Sequence, residues 1–208
     1  MTAKTFNCPQ CGDALAHHFR FSKLVVCDSC NSTLFLEDEQ VRAAGSHSVL
    51  TELPSLIQLH QPFQYLQYSY LPVGHIRYSY HYGLWDEWWV IDSSGQGIWI
   101  SVDEGDFAFE HRQAIKHSAN KIPSIQKLKL EQSLELFNQK WWVTEKGLAK
   151  CEGFRGELPE IIEWGERFAY AHLSGEHSEL LTLEYPLNGK VQAYLGKWVD
   201  PFEIKVDT

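Results

Sequence analysis

Hydrophobic and polar positions in this chain follow strand periodicity over most of its length. Tyr78, Tyr80 and Tyr82 alternate with Arg77, Ser79 and His81, a period of two that sets the rings on one face. The apolar run Trp88-Trp89-Val90-Ile91 is stopped by the turn signature Asp92-Ser93-Ser94-Gly95. Gly97-Ile98-Trp99-Ile100-Ser101-Val102 then follows, which predicts a hairpin. Asp103-Glu104-Gly105-Asp106 predicts another turn before Phe107-Ala108-Phe109, and a polar connection containing Pro123 comes next.

A second block repeats the style. Leu128, Leu130, Leu134 and Leu136 all hold even positions; on a helix they would scatter around the axis, so strand is favoured. Trp141-Trp142-Val143-Thr144 and Gly147-Leu148-Ala149-Lys150-Cys151 are further strand candidates. So are residues 180–185 and 191–195, which flank Asn188-Gly189, the strongest short hairpin signal. Helix is scarce: residues 159–164 and 41–44 each suit a single turn. The two blocks share an order of signals. Glu87 opens Trp88-Trp89-Val90-Ile91 as Glu179 opens Leu180-Leu181-Thr182-Leu183, and Phe63-Gln64-Tyr65 and Phe137-Asn138-Gln139 stand ahead of them. Either an internal duplication into two related small β modules, or the general likeness of antiparallel hairpins, accounts for this.

The first 36 residues are of a different kind. Cys8-Pro9-Gln10-Cys11-Gly12 and Cys27-Asp28-Ser29-Cys30-Asn31 stand 15 residues apart, the double Cys-x2-Cys arrangement of a zinc ribbon. Two thiolates spaced by two residues can grip one ion from a tight turn, and Gly12 and Asn31 suit the left-handed position that closes such a turn. Cys8, Cys11, Cys27 and Cys30 are therefore expected to hold one structural Zn2+, closed to water. His17 and His18 lie between the turns, zinc-competent but expected on the hairpin surface because four cysteines complete the shell. Phe19, Phe21, Leu24 and Val26 read as the strands linking the turns. With so small a core, the metal is expected to supply most of the module's folding energy.

The expected fold is thus mainly β, with a barrel- or sandwich-like body. Residues 1–36 form the zinc ribbon, 37–54 an acidic and polar linker (Glu37-Asp38-Glu39, then Gly45-Ser46-His47-Ser48), and 55–112 a first β module. Residues 113–127 connect it to a second β module at 128–208.

Composition sharpens this. The 208 residues include 8 Trp, 9 Tyr and 11 Phe, rings that suit a pleated, half-buried surface. The net charge of −9 disfavours phosphate backbones and anionic lipid surfaces. Lys4, Arg20 and Lys23 against Asp13 and Asp28 give the ribbon +1, leaving −10 for the rest. The N-terminus carries no apolar signal region, and no apolar stretch reaches the roughly 20 residues of a membrane span. A cytoplasmic protein is expected, in which cysteines serve metals rather than disulfides.

The order Gly74-His75-Ile76-Arg77-Tyr78, Trp85-Asp86-Glu87-Trp88 and Trp99-Ile100-Ser101 resembles the opening of an uncharacterised bacterial family, domain of unknown function 4178. Gly156-Glu157-Leu158-Pro159, Leu173-Ser174-Gly175-Glu176 and Gly196-Lys197-Trp198-Val199-Asp200-Pro201 follow in that family's order, so the resemblance spans residues 55–202. It implies a mainly β fold, sometimes behind a zinc ribbon. It also implies association with genes for phage-shock-type envelope-stress proteins and small membrane proteins. It implies no catalytic residues.

Among candidate sites, Glu87 within Trp85-Asp86-Glu87-Trp88-Trp89 is the first choice for a polar functional residue, as a general acid in an apolar pocket. The plainer reading is a turn whose acids face water while the indoles enter the core. His172 and His177 with Glu176 are zinc-competent, but Ser174-Gly175 makes a solvated loop the simpler assignment. His75 and His81 can share a strand face with Arg77. Cys151 is expected to be buried and inert, its alternative being a nucleophile. The chain has no Gly-x-Ser-x-Gly, no Walker loop and no dinucleotide-binding glycine fingerprint, which argues against enzymes built on those signatures and leaves others open.

The reading that follows is a non-enzymatic, zinc-containing adaptor with a protein partner, in a cytoplasmic or peripheral membrane complex. Exposed members of Trp88, Trp89, Trp141 and Trp142 would be its anchors. The alternatives are nucleic-acid binding by the ribbon, through Lys4, Arg20, Lys23, Phe19 and Phe21, and an enzyme centred on Glu87 or Cys151.

Overall fold

The computed structural model describes residues 4–37, 40–47, 50, 51, 53–81 and 83–206. Asp38, Glu39, Ser48 and Tyr82, each used in the sequence reading, lie outside the described residues. The N-terminal module pairs β1 (Lys4–Asn7) with β2 (Ala14–His17), and β3 (Leu24–Val26) with β4 (Ser32–Glu37) and β5 (Gln40–His47). The helical turn expected at residues 41–44 is therefore a strand, paired to β4 by backbone bonds that override weak local preference.

The body begins with β6 (Phe63–Tyr65), β7 (Tyr68–Ser79), β8 (Leu84–Asp92), β9 (Gly97–Asp103) and β10 (Asp106–Gln113). It continues with β11 (Ser133–Leu136), β12 (Gln139–Leu158), β13 (Arg167–Ser174), β14 (Glu179–Pro186), β15 (Gln192–Val199) and β16 (Ile204–Val206). The expected turns are in place. Asp92 Oδ1 accepts bonds from Ser94 N at 2.8 Å and Gln96 N at 2.9 Å, and Glu104 and Gly105 take φ of 49° and 96° between β9 and β10. Four details differ from the sequence reading. Leu128 and Leu130 precede the strand, which starts only at Ser133, after a single 3-10 turn at Ile125–Lys127. Residues 159–164 form bends without helix. Asn188-Gly189 sits in a hairpin loop longer than two residues, since the last ladder pair is Glu184 with Gln192. His172 belongs to β13 rather than to the solvated loop expected there.

The pairings close on themselves. β7, β8, β9, β10, β15, β14, β13 and β12 are linked in that order, all antiparallel, and β12 returns to β7. This is a barrel of eight strands, four from each block. β12 makes the closure by bending: it pairs with β13 over Trp142–Lys150 and with β7 over Lys150–Gly156, with a register shift at Cys151/Gly153. Each run of four is preceded by a two-residue hairpin, β6 to β7 through Leu66 and β11 to β12 through Phe137 and Asn138, with φ of 55°, 54° and 61°. By this order β8 corresponds to β13, one strand away from the equivalence suggested by Glu87 and Glu179.

Alternation sorts the side chains. Trp85, Trp89, Trp99, Tyr78, Tyr170 and Tyr194 belong to one buried cluster at the barrel's inside. Trp88, Val90 and Ile100 point the other way, under Ile57, Phe63 and Ile204. Trp141, Val143, Leu173 and Leu183 form a third cluster with Leu128 and Leu136. Parts of the wall are thus buried on both faces, which is why Trp88-Trp89-Val90-Ile91 is continuously apolar. Trp88, Trp89 and Trp141 are core, so three of the four proposed surface anchors are removed; Trp142 alone is half-buried, with Lys140 Nζ 5.0 Å above its ring.

Candidate metal centre and barrel interior

The turns of the N-terminal module form as the spacing predicts. Gly12 N donates to Cys8 O at 2.8 Å and Asn31 N to Cys27 O at 2.8 Å, and both residues adopt positive φ, 82° and 57°. Cys8 and Cys27 are buried, Cys11 exposed and Cys30 between. Their Sγ atoms all lie within 4.8 Å of one another, at 3.8 Å for Cys8 to Cys30 and 3.7 Å for Cys11 to Cys27. Such a set of soft donors can hold one metal ion.

The module is not an appendage. β3 adds to the end of β12 through Val25 opposite Glu157 and Leu24 opposite Leu158. Phe19, Leu24 and Val26 enter the same core cluster as Trp89 and Leu158, Phe19 meeting Trp89 edge-on at 5.2 Å. Glu157, 2% exposed, ties the contact electrostatically. Its Oε1 accepts from His18 N at 2.7 Å, and its Oε2 from Phe19 N at 2.9 Å and Ser22 Oγ at 3.0 Å. His18 Nδ1 lies 2.7 Å from Oε1. His17 and His18, expected on the hairpin surface, are therefore both partly buried at this junction, His17 Nε2 being 3.9 Å from Glu157. Of the ribbon's two candidate stacking rings only Phe21 is exposed, with the Arg20 guanidinium 5.1 Å from its centroid. Lys23 is exposed, and the side chain of Lys4 lies outside the described residues.

Trp85-Asp86-Glu87-Trp88 is a strand rather than a turn, so its two acids part company. Asp86 faces outward and binds Arg77 through Nε at 2.7 Å and Nη2 at 3.0 Å, and His75 Nε2 at 2.9 Å. Burial raises its carboxyl, but the bonds from His75 and Arg77 outweigh that and hold it below the ordinary value. His75 stacks on Trp88 with centroids 3.9 Å apart and planes 1° from parallel. His75 and Arg77 do share a face, as expected; His81 is exposed.

Glu87 faces inward. It borders a cavity of about 240 Å3 walled by seven of the barrel strands, together with Glu110 from β10 and Glu184 from β14. The second acid that had no readable spacing in the sequence thus arrives from other strands. Glu87 accepts from Trp85 Nε1 at 3.1 Å, and Glu110 Oε1 from Ser101 Oγ at 2.6 Å. Burial, reinforced by the charge of Glu110, pushes the Glu87 carboxyl up to about 8. Burial raises Glu110 too, and it raises Glu184 strongly, with help from Glu87. Glu145 also lines the cavity; it lies opposite His172, 3.6 Å away, and accepts from Tyr170 OH at 2.5 Å. His172 is hence a wall residue, while His177 sits in the following turn with φ of 53°. Cys151 is fully buried, and desolvation pushes its thiol up to about 12. It is a protonated core residue, which argues against the nucleophile reading.

One family model, described as Domain of unknown function (DUF4178), matches residues 58–201. No curated protein and no solved structure matches the chain. Among the described residues, no helix is long and apolar enough to cross a membrane.

Proposed function

The chain belongs to that family of unknown function, and from this premise we propose that it is a non-enzymatic adaptor whose ribbon, held by one structural zinc ion on Cys8, Cys11, Cys27 and Cys30, is clamped to a β-barrel. The observation that carries the reading is the four-cysteine cluster joined to the barrel through Glu157. Zinc–thiolate bonds of about 2.3 Å in a tetrahedron require sulfur–sulfur edges of about 3.8 Å; two of the six edges, at 3.7 and 3.8 Å, match this, and all six lie within 4.8 Å. A bound zinc would fix the turns that present His18 and Phe19 to Glu157. The outer face of the ribbon, with Phe21 62% exposed under Arg20, is the surface offered to a protein partner. A cytoplasmic setting in an envelope-stress or membrane-face complex belongs to the same proposal and rests on the family resemblance and the cysteine usage.

The test is affinity capture from gently lysed cells, soluble and membrane fractions kept apart. A specific protein should be retained by the native chain and lost with both Cys27→Ser and Phe21→Ala. Capture that is indifferent to both changes removes the ribbon from the contact. Nucleic-acid binding fits less well, because Phe19 is buried and the chain carries −9. A second reading, an enzyme centred on Glu87, is favoured by the raised carboxyl in the cavity; a Glu87→Gln protein with full cellular function disposes of it.

A further inference from the structure

The barrel interior holds polar atoms that the ribbon and its clamp do not explain. Glu110 is 4% exposed, and while Oε1 is bonded to Ser101, Oε2 is buried without a partner. Thr182 Oγ1, on a residue 7% exposed, is likewise buried with no hydrogen bond of normal length, and lies near enough to Glu110 to favour its ionised form. Both residues line the cavity of about 240 Å3 and a smaller one of about 10 Å3 that shares Glu87, Glu110 and Glu184 with it. Orphaned buried atoms of this kind in a native fold mark a place where something else supplies the hydrogen bond.

The chemistry of the walls says what kind of group that is. Glu87, Glu110 and Glu184 converge from three strands, with Asp103 and Glu145 on the same cavity. The basic side chains near them are His172, already opposite Glu145, and Arg112, which is exposed. Among the described residues only the four cysteines bring three or more metal-ligating atoms together, so the carboxylates are spread too widely to enclose a bare metal ion. They are spaced instead for a molecule. Trp85, Tyr170 and Trp198 line the larger cavity, and Trp99 and Tyr194 the smaller. Ring faces attract cations as well as covering carbon.

We propose that the barrel interior binds a small organic ammonium ion, its nitrogen donating to Glu110 and Thr182, its charge balanced by Glu87 and Glu184, and its carbon skeleton packed on Trp85 and Tyr170. The site stands whether or not the ribbon carries zinc. Its pH behaviour has one sign. The titratable groups facing the two cavities, namely Glu87, Asp103, Glu110, Glu145, Glu184, His172, Tyr170 and Tyr194, can only become more negative or less positive as pH rises. Because burial raises the Glu87 carboxyl to about 8, and raises Glu110 and Glu184 as well, entry of a cation displaces a proton.

The experiment uses the full-length, metal-loaded protein and three probes: benzylammonium, tetramethylammonium and, as a neutral match, benzyl alcohol. Binding is followed by calorimetry and tryptophan fluorescence at about pH 6 and pH 8.5. At least one ammonium should bind about tenfold tighter than the alcohol. It should also bind more tightly at the higher pH, with a heat that varies with the buffer's ionisation enthalpy because a proton is released. Glu110→Gln should weaken the ammonium about tenfold without changing the near-ultraviolet dichroism; Thr182→Val serves as the second variant if Glu110→Gln does not fold. Absence of binding by both ammonium probes up to about 10 mM overturns the proposal. Equal affinity for the alcohol, or native affinity in both variants, overturns it as well.

Discussion

Gly74 on β7 lies directly opposite Gly156 on β12, and neither position has room for a side chain. A Cβ on Gly74 would stand 2.1 Å from Glu157 O, and one on Gly156 2.2 Å from Val73 O, with Gly156 at φ +73° as well. This close approach closes the barrel at the point where the ribbon joins. Gly156→Ala is expected to destabilise by about 3 kcal/mol or more, from backbone strain and forced separation of the seam. Gly165→Ala, at φ +78° but with nothing within 4 Å, should cost only about 1 kcal/mol. Urea unfolding of the two variants side by side checks the difference; equal losses would contradict the seam's tightness.

Glu157 gives the next expectation. Removing its carboxylate in Glu157→Ala orphans the amides of His18 and Phe19, at about 1–3 kcal/mol for each group left unsatisfied. Hydrogen exchange at those two amides should accelerate before the barrel core does. Exchange that accelerates uniformly across the chain would mean the clamp is not local.

Stability should fall as conditions turn alkaline. The folded value for Glu87, about 8, lies above its ordinary 4.5. Its contribution is therefore fully present below pH 4.5 and is lost as pH rises through the folded value, at roughly 1.4 kcal/mol per unit. Asp86 works in the opposite sense: held below 3.8 by His75 and Arg77 against its own burial, it gives stability that disappears as pH falls through the folded value. The urea midpoint should drop between pH 5 and 8, and Glu87→Gln should flatten that slope. A midpoint that climbs over this range would contradict the burial of Glu87.

Metal removal should be visible from inside the barrel. Phe19 rests on Trp89, so stripping the metal from the ribbon is expected to shift tryptophan emission and expose Cys8, Cys11, Cys27 and Cys30 to thiol reagents. Cys151, buried in the core, should stay unlabelled under the same conditions. Labelling of Cys151 as fast as the others would show that the barrel unfolds with the ribbon.

Much of this was legible from residues close in sequence. Local turn chemistry placed the cysteine turns through Gly12 and Asn31, and the β8–β9 hairpin through Asp92 and Gly95. The closure of two blocks into one barrel was not legible, because it depends on the bend at Cys151/Gly153 and on Gly74 meeting Gly156 across a long stretch of chain. β13 was missed although Phe168, Tyr170 and His172 alternate, because Ala169, Ala171 and Leu173 on the opposite face blur the pattern. Glu110 and Glu184 carried no signal of their own. Each is one acid at an inward strand position, and only the curvature of the wall brings them to Glu87.

The measurement that bears most directly on the ribbon clamped to a barrel is native mass spectrometry of the purified chain and of Cys27→Ser, with the metal identified by elemental analysis. One zinc per native chain, and a clear loss of zinc in the variant, is the expected result. A native chain that takes up no zinc, or a Cys27→Ser protein that keeps a full equivalent, would contradict it.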